Sequence, residues 1–312
     1  MKLKSKDLLS IHDLSTDEFQ GILELAARMK ANPLPFARSL AGKTLAMIFE
    51  KPSLRTRVTF ETGMTQLGGH AIYLAPSDIS LGARESVPDI ARNLERMVDV
   101  IMARTFRHDS VVMLARFSRV PVINALSDYS HPCQALADFL TLQEVQGDLR
   151  RVRLCYVGDG NNVCHSLMFA AAKCGAHLTV ACPKGFEPLA EVVEKAERDA
   201  RQTSATLRIV NDPAEGVAGA TAVYTDVWAS MGQESETEAR AKIFKPFQVN
   251  EALMAKAERG AHFLHCLPAH RGWEVTDSVA DASTSVIFQQ AENRLHAQKA
   301  VLHLLAGDQG IS

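Results

Sequence analysis

Short apolar runs alternate with stretches of helical periodicity along this chain, and the alternation stops once and then restarts. Thr44–Phe49, His70–Leu74, Val98–Ala103 and Val120–Ala125 read as strands. Between and after them, Ser53–Leu67, Ser86–Met97, Asp109–Phe117 and His131–Val145 read as helices. The second series of strand-like runs is Arg153–Val157, His177–Ala181, Thr206–Val210, Ala222–Thr225, His262–Leu267 and Ser285–Phe288. Helical patterns at Asn162–Lys173, Pro188–Gln202 and Asn250–Glu258 separate them. Strands that read as unbroken apolar runs, each followed by a helix, predict parallel sheets covered on both faces. The restart predicts an α/β fold of two doubly wound parallel-sheet domains, linked by long helices. The boundaries are set at 1–146 and 147–312. A last helix, Glu292–Leu305, has no strand after it, so the segment 291–306 is expected to pack back on the first domain.

Composition narrows the function. Of 312 residues, 34 are Lys or Arg and 36 are Asp or Glu, a net charge of −2. No basic excess is available for a nucleic-acid backbone or an anionic membrane surface, so any anion must be met by a few placed cations. No run reaches the ~18 apolar residues of a membrane span, and Met1–Ser10 lacks the apolar core of a signal peptide. The six cysteines (133, 155, 164, 174, 182 and 266) form no CxxC pair. They read as reduced thiols of a cytoplasmic protein, with no metal site expected. His262 and His265 lie in an apolar run and read as core histidines.

Two phosphate signals fail on inspection. Gly42-Lys43-Thr44 resembles the end of a P-loop, but position 37 is Ala37 and the stretch precedes a strand instead of following one. Gly158-Asp159-Gly160 follows a strand, yet the third glycine of a dinucleotide fingerprint is Val163. Neither ATP nor a nicotinamide cofactor is supported, and no cofactor is expected.

The stronger signal is Glu50-Lys51-Pro52-Ser53-Leu54-Arg55-Thr56-Arg57, directly after the first strand. Ser53 is a good N-cap, and the unsatisfied N–H groups of Leu54, Arg55 and Thr56 would face the strand's carboxyl end. One guanidinium and two hydroxyls added there make a compact phosphate cradle. Arg57 lies about 200° round the helix from Arg55, so Arg55 is assigned to the ligand and Arg57 to an ion pair. Arg104 ends the third run, and His131-Pro132-Cys133-Gln134 opens the long helix after the fourth. Ligands of open α/β sheets sit at such strand ends.

Ser53–Arg57 and His131–Gln134 resemble the carbamoyl-phosphate signatures of the aspartate/ornithine carbamoyltransferase family. Asp226–Glu234, His265-Cys266-Leu267-Pro268 and Ala291-Glu292-Asn293-Arg294 resemble its ornithine branch, and Gly158–Val163 matches as well. The resemblance covers nearly the whole chain, in order. It implies carbamoyl transfer from carbamoyl phosphate to the side-chain amine of L-ornithine, giving citrulline and phosphate. It also implies that Ser53, Leu54, Arg55, Thr56 and Arg104 hold the phosphate. His131, Arg104 and Thr56 would face the carbonyl oxygen. Gln134 and the carbonyls of Cys266 and Leu267 would fix the carbamoyl NH₂, with Pro132, Cys133 and Arg294 completing the pocket. Ornithine would meet Asp226 with its α-ammonium and Asn162 with its α-carboxylate, supported by Ser230 and Met231. The attacking amine must lose a proton, to Cys266 or to the departing phosphate. The charged segment Gly232–Lys245 reads as a lid. Family members are trimers, so a homo-oligomer is implied. Other amine acceptors, putrescine or an acylated ornithine, are the nearest alternatives, and a nicotinamide-dependent dehydrogenase is the alternative of another class. Leu54 and Ser80 depart from residues common in the family.

Overall fold

The computed structural model describes residues 3–229 and 237–307. It divides into two compact units, Met1–Leu140 with Glu292–Ser312, and Thr141–Ala291. The division falls inside helix Pro132–Gln146.

The first unit holds a four-stranded parallel sheet of β1 (Thr44–Phe49), β2 (His70–Leu74), β3 (Val100–Arg104) and β4 (Val122–Leu126), in the order β2-β1-β3-β4. β1 and β3 are central and buried along almost every residue, which is why both read as unbroken apolar runs. β2 lies at the edge, and its burial is mixed. Ala46, Ile48, Ile101 and Ala103 pack under Ile90, Val111 and Leu114 of the covering helices Val87–Leu94 and His108–Phe117. The order turns back between β1 and β3, whose last residues, Phe49 and Arg104, are partners in register. A crevice for a ligand opens at such a reversal.

The second unit repeats the plan with β5 (Arg153–Val157), β6 (His177–Ala181), β7 (Leu207–Val210), β8 (Ala222–Thr225) and β9 (His262–His265). All are parallel, in the order β7-β6-β5-β8-β9. Its core joins Cys155, Val157, Val223 and Phe263 to Val217, Phe247, Leu253 and Val279. Here the reversal lies between β5 and β8, where Val157 and Thr225 are paired. The α/β class with two parallel sheets is as the sequence indicates. Among the described residues no helix is long and apolar enough to cross a membrane.

Two expectations are corrected. Ser285–Phe288 is not a strand: Ser285 makes one isolated bridge to Phe263, and helix Ile287–Ala306 begins at once. The apolar run there serves the helix start, with Ile287 buried and Phe288 exposed. The helix expected over Asn250–Glu258 is a single turn, Glu251–Met254, capped by Asn250. A helix that was not expected, Thr16–Ala31, opens with a reciprocal Ser15–Glu18 capping box.

Candidate active site

In the first unit, Ser53 caps helix Leu54–Gln66: its hydroxyl accepts the Thr56 N–H at 3.3 Å and donates to Thr56 Oγ1 at 3.1 Å. Thr56 is fully buried and Leu54 exposed, so position 54 contributes its backbone N–H at the helix start. Arg57 makes the ion pair expected of it, Nε to Glu61 Oε1 at 2.9 Å, and stacks on Tyr73.

Arg294, from the C-terminal helix, is 2% exposed. Its Nη1 donates to Gln134 Oε1 at 2.7 Å and its Nη2 reaches Thr56 Oγ1 at 3.4 Å. Gln134 in turn donates to Asp138 Oδ1 at 2.7 Å. The sequence reading did not include Asp138, which orients the Gln134 amide from one turn along the same helix. Arg104 is buried at the end of β3 and His131 is buried just before helix Pro132–Gln146. Burial first, then the charges of Arg294, Arg104 and Arg55, hold the His131 imidazole well below its ordinary value of 6.5. The shift favours the neutral imidazole, in which one ring nitrogen carries a proton and the other does not. Three guanidiniums acting on one buried group also mark a strongly positive locus, suited to an anion. Cys133 is buried, and burial pushes its thiol up to about 12; its Sγ lies 3.6 Å from the Asn124 carbonyl. It packs and does not react.

In the second unit, Asp226 follows β8 and is buried. Its Oδ1 accepts from Cys266 Sγ at 2.9 Å and from the Val227 N–H at 2.8 Å, and its Oδ2 accepts from Asn161 Nδ2 at 2.9 Å. Asn161 is the N-cap of helix Asn162–Cys174, which starts where the sequence indicates: its Oδ1 accepts the Val163 and Cys164 N–H groups and the Tyr156 hydroxyl. Asn162 is the first residue of that helix. The sequence reading did not include Asn161, because its bond to Asp226 joins two loops far apart in the chain and no local spacing shows it. Ser230 and Met231, and with them part of the segment Gly232–Lys245, lie outside the described residues.

Cys266 and Leu267 follow β9. His265 is a core histidine, as expected, and its ring orders this strand end. Nδ1 accepts the Leu267 N–H at 2.8 Å, so Nε2 carries the proton and donates to the buried Glu274 at 3.2 Å. Asp226, His265 and Cys266 bring ligand-type atoms within 4.8 Å of one another. Both His265 nitrogens are used in these bonds, so among the described residues the remaining ligand-type groups of this cluster are one carboxylate and one thiol. The Gly158-Asp159-Gly160 turn has a packing reason. Gly160 N–H donates to the Phe186 carbonyl at 2.8 Å, and a side chain there would strike the backbone of Glu187 and Pro188.

The two halves match two family models: residues 6–144 the carbamoyl-P binding domain, and residues 150–305 the Asp/Orn binding domain, of aspartate/ornithine carbamoyltransferase. The chain belongs to the aspartate/ornithine carbamoyltransferase family. Within it, the chain is 55% identical over 304 residues to an ornithine carbamoyltransferase of Anoxybacillus flavithermus, covering 97% of each chain. It is 53% identical over 312 residues to the anabolic ornithine carbamoyltransferase of Pyrococcus furiosus, covering 98% of each. The solved Pyrococcus furiosus ornithine carbamoyltransferase superposes with a TM-score of 0.95 at 52% identity, over 98% of both chains. That of Thermus thermophilus gives 0.88 at 47%, over 97% of this chain and 99% of the other.

Proposed function

We propose that this protein transfers the carbamoyl group of carbamoyl phosphate to the side-chain amine of L-ornithine, giving L-citrulline and phosphate. One observation carries the reading: each unit gathers the charge its substrate needs at its own sheet reversal. Arg55, Arg104 and Arg294 act together on His131 in the first; the buried Asp226 is bonded to Asn161 and Cys266 in the second.

Ser53, Leu54, Arg55, Thr56 and Arg104 bind the phosphate, and each charge-assisted bond contributes roughly 1.5–3 kcal/mol. His131 donates to the carbonyl oxygen as it gains charge. Gln134, Pro132, Cys133, Arg294, Cys266 and Leu267 complete the carbamoyl contacts. Asp226 takes the α-ammonium, and Asn162, Ser230 and Met231 serve the rest of the amino-acid end. The amine nitrogen attacks the carbonyl carbon, the bond from that carbon to the phosphate oxygen breaks, and the nitrogen gives up a proton. The Cys266 Sγ lies 2.9 Å from the Asp226 carboxylate, an anion that opposes a second negative charge on the sulfur. The departing phosphate is the base that fits.

The protein acts as a homo-oligomer, as a trimer, in the cytoplasm and in arginine biosynthesis. Exposed Leu54, Val58 and Ile72, the last on the edge strand β2, support an association surface on the first unit. None of the six cysteines forms a disulfide, in keeping with a reducing compartment. A citrulline assay with ornithine, putrescine, acetylornithine and aspartate as acceptors tests the activity. Turnover confined to ornithine is expected; preference for another acceptor overturns the reading. Light scattering after size exclusion tests the trimer.

A further inference from the structure

One guanidinium ties together the two loops that carry Asn161 and Asp226. Arg240 Nη1 donates to Asp159 Oδ2 at 2.8 Å and to the Trp228 carbonyl at 3.1 Å. The guanidinium carbon also lies 5.1 Å from the centre of the Phe186 ring. Asp159 precedes Asn161 by two residues in the loop after β5, and Trp228 follows Asp226 by two in the loop after β8. Phe186 is joined to the same turn through its carbonyl, which accepts the Gly160 N–H. Phe244, one turn along the helix from Arg240, packs on both Phe186 and Trp228, with ring centres 4.8 and 6.1 Å away.

A simple ion pair would need only Asp159. This one is mostly buried, with side chains 11% and 16% exposed. It is also shared with a backbone carbonyl of the neighbouring loop, both bonds leaving the one Nη1 nitrogen while the flat guanidinium lies against the Phe186 ring. The two clamp points belong to the same two loops as the partners of the 2.9 Å bond between Asn161 and Asp226. If they part, the loops carrying that bond are free to separate, and the Asp226 carboxylate loses its fixed direction.

We propose that Arg240 is a positioning residue for the acceptor amino acid: by joining the loop after β5 to the loop after β8, it sets the Asn161–Asp226 geometry that receives the acceptor. This rests on the assignment of Asp226 to the acceptor's ammonium group. Groups that bind the non-reacting end of a substrate act on ground state and transition state alike, so their misplacement appears in KM more than in kcat.

The test is steady-state kinetics on the full-length protein, varying ornithine at saturating carbamoyl phosphate, for Arg240→Ala, Asp159→Asn, the double variant and Arg240→Lys. Each single variant is expected to raise KM for ornithine at least about tenfold, with kcat within about threefold. The double variant adds nothing further, because one clamp is lost in all three. Arg240→Lys recovers part of the loss, since an ammonium keeps the charge facing Asp159 but has a different reach and no planar group to lie on Phe186. The KM for carbamoyl phosphate stays unchanged. Arg208→Gln breaks an exposed ion pair of the same unit, with Glu215 at 2.9 Å, and leaves both KM values unchanged. An ornithine KM within twofold of wild type in a folded Arg240→Ala protein overturns the proposal, as do fully additive effects. If that variant does not fold, Asp159→Asn and Arg240→Lys decide on the same criteria. Failure of the functional reading is separate: wild-type protein would then give no citrulline, and the clamp is tested with whichever amine it does carbamoylate.

Discussion

Replacing Arg294 by Met separates the binding role of this side chain from its structural one. The methionine fills much of the space of the arginine stem but supplies no donor. The buried Gln134 Oε1 then loses the 2.7 Å bond from Nη1. A buried acceptor left without its donor costs about 1–3 kcal/mol, which at roughly 2–4 °C per kcal/mol lowers Tm by about 2–12 °C. Loss of one charge-assisted bond to the phosphate-bearing ligand removes roughly 1.5–3 kcal/mol, a weakening of Kd by about 10–150-fold. A third effect has a fixed sign. Arg294 is one of three cations that depress the His131 imidazole, so His131 moves up toward 6.5 while burial, Arg104 and Arg55 still hold it below. Scanning calorimetry, isothermal titration with carbamoyl phosphate and a histidine proton titration by NMR measure the three quantities. Lower Tm with unchanged affinity would refute the reasoning, for it would make Arg294 a brace for Gln134 and nothing more. Arg294→Lys keeps the charge but not the fork, and falls between the two in affinity.

His131→Ala is expected to lower kcat by about 10²–10³ in the citrulline assay, the usual loss for one oxyanion donor; an unchanged rate removes that role. Cys266→Ser keeps a donor toward Asp226 and should retain kcat within about tenfold, whereas a loss near 10³ would make the thiol the general base. Because an ammonium with a pKa of about 10.4 is almost wholly protonated at neutrality, kcat/KM for ornithine should climb from pH 6 to 8, and a flat profile counts against attack by the free amine. His131, His262, His296 and His303 all have values lowered from 6.5, burial being the first cause in each. The unfolded chain therefore binds more protons than the native one between those lowered values and 6.5. Stability from this source is present above pH 6.5 and is lost as the pH falls through that window. Tm should rise from pH 5 to 7, and a constant Tm would show these groups to be accessible.

Central strands were the most legible elements because burial on both faces leaves a run of apolar residues without alternation, as in Leu45–Phe49 and Leu154–Val157. The pattern misled at Ser285–Phe288, where a similar run covers the last bridge of a sheet and the first turn of a helix. Helix Thr16–Ala31 was present in the letters as Ser15-x-x-Glu18 ahead of Phe19, Ile22, Leu23 and Ala26, a signature of caps and period that the search for strands passed over. In the first unit the charged residues of the anion locus were legible, since Arg55, Arg104 and His131 each sit at a strand end or helix start. Asp138 and Glu274 were not. They touch other side chains instead of a ligand, and a residue that orients a neighbour from one turn or nine residues away has no spacing rule of its own. Asn161 is of the same kind: the helix after it starts where the letters indicate, but its bond to Asp226 runs between separate loops and leaves no local pattern.

The first unit is discontinuous in the chain: Arg294 arrives from the far end to complete a group whose other members lie between Thr56 and Asp138. On the ribosome, roughly 8–30 s of synthesis at ordinary elongation rates separates Leu140 from Arg294. Throughout that interval the nascent N-terminal half lacks one cation of the proposed anion pocket, so the small anion cannot act on it as a folding ligand with full affinity. On the proposed function, only a chain synthesised past Arg294 gains the full stabilisation that bound substrate confers, and one cut short before it forfeits part of that.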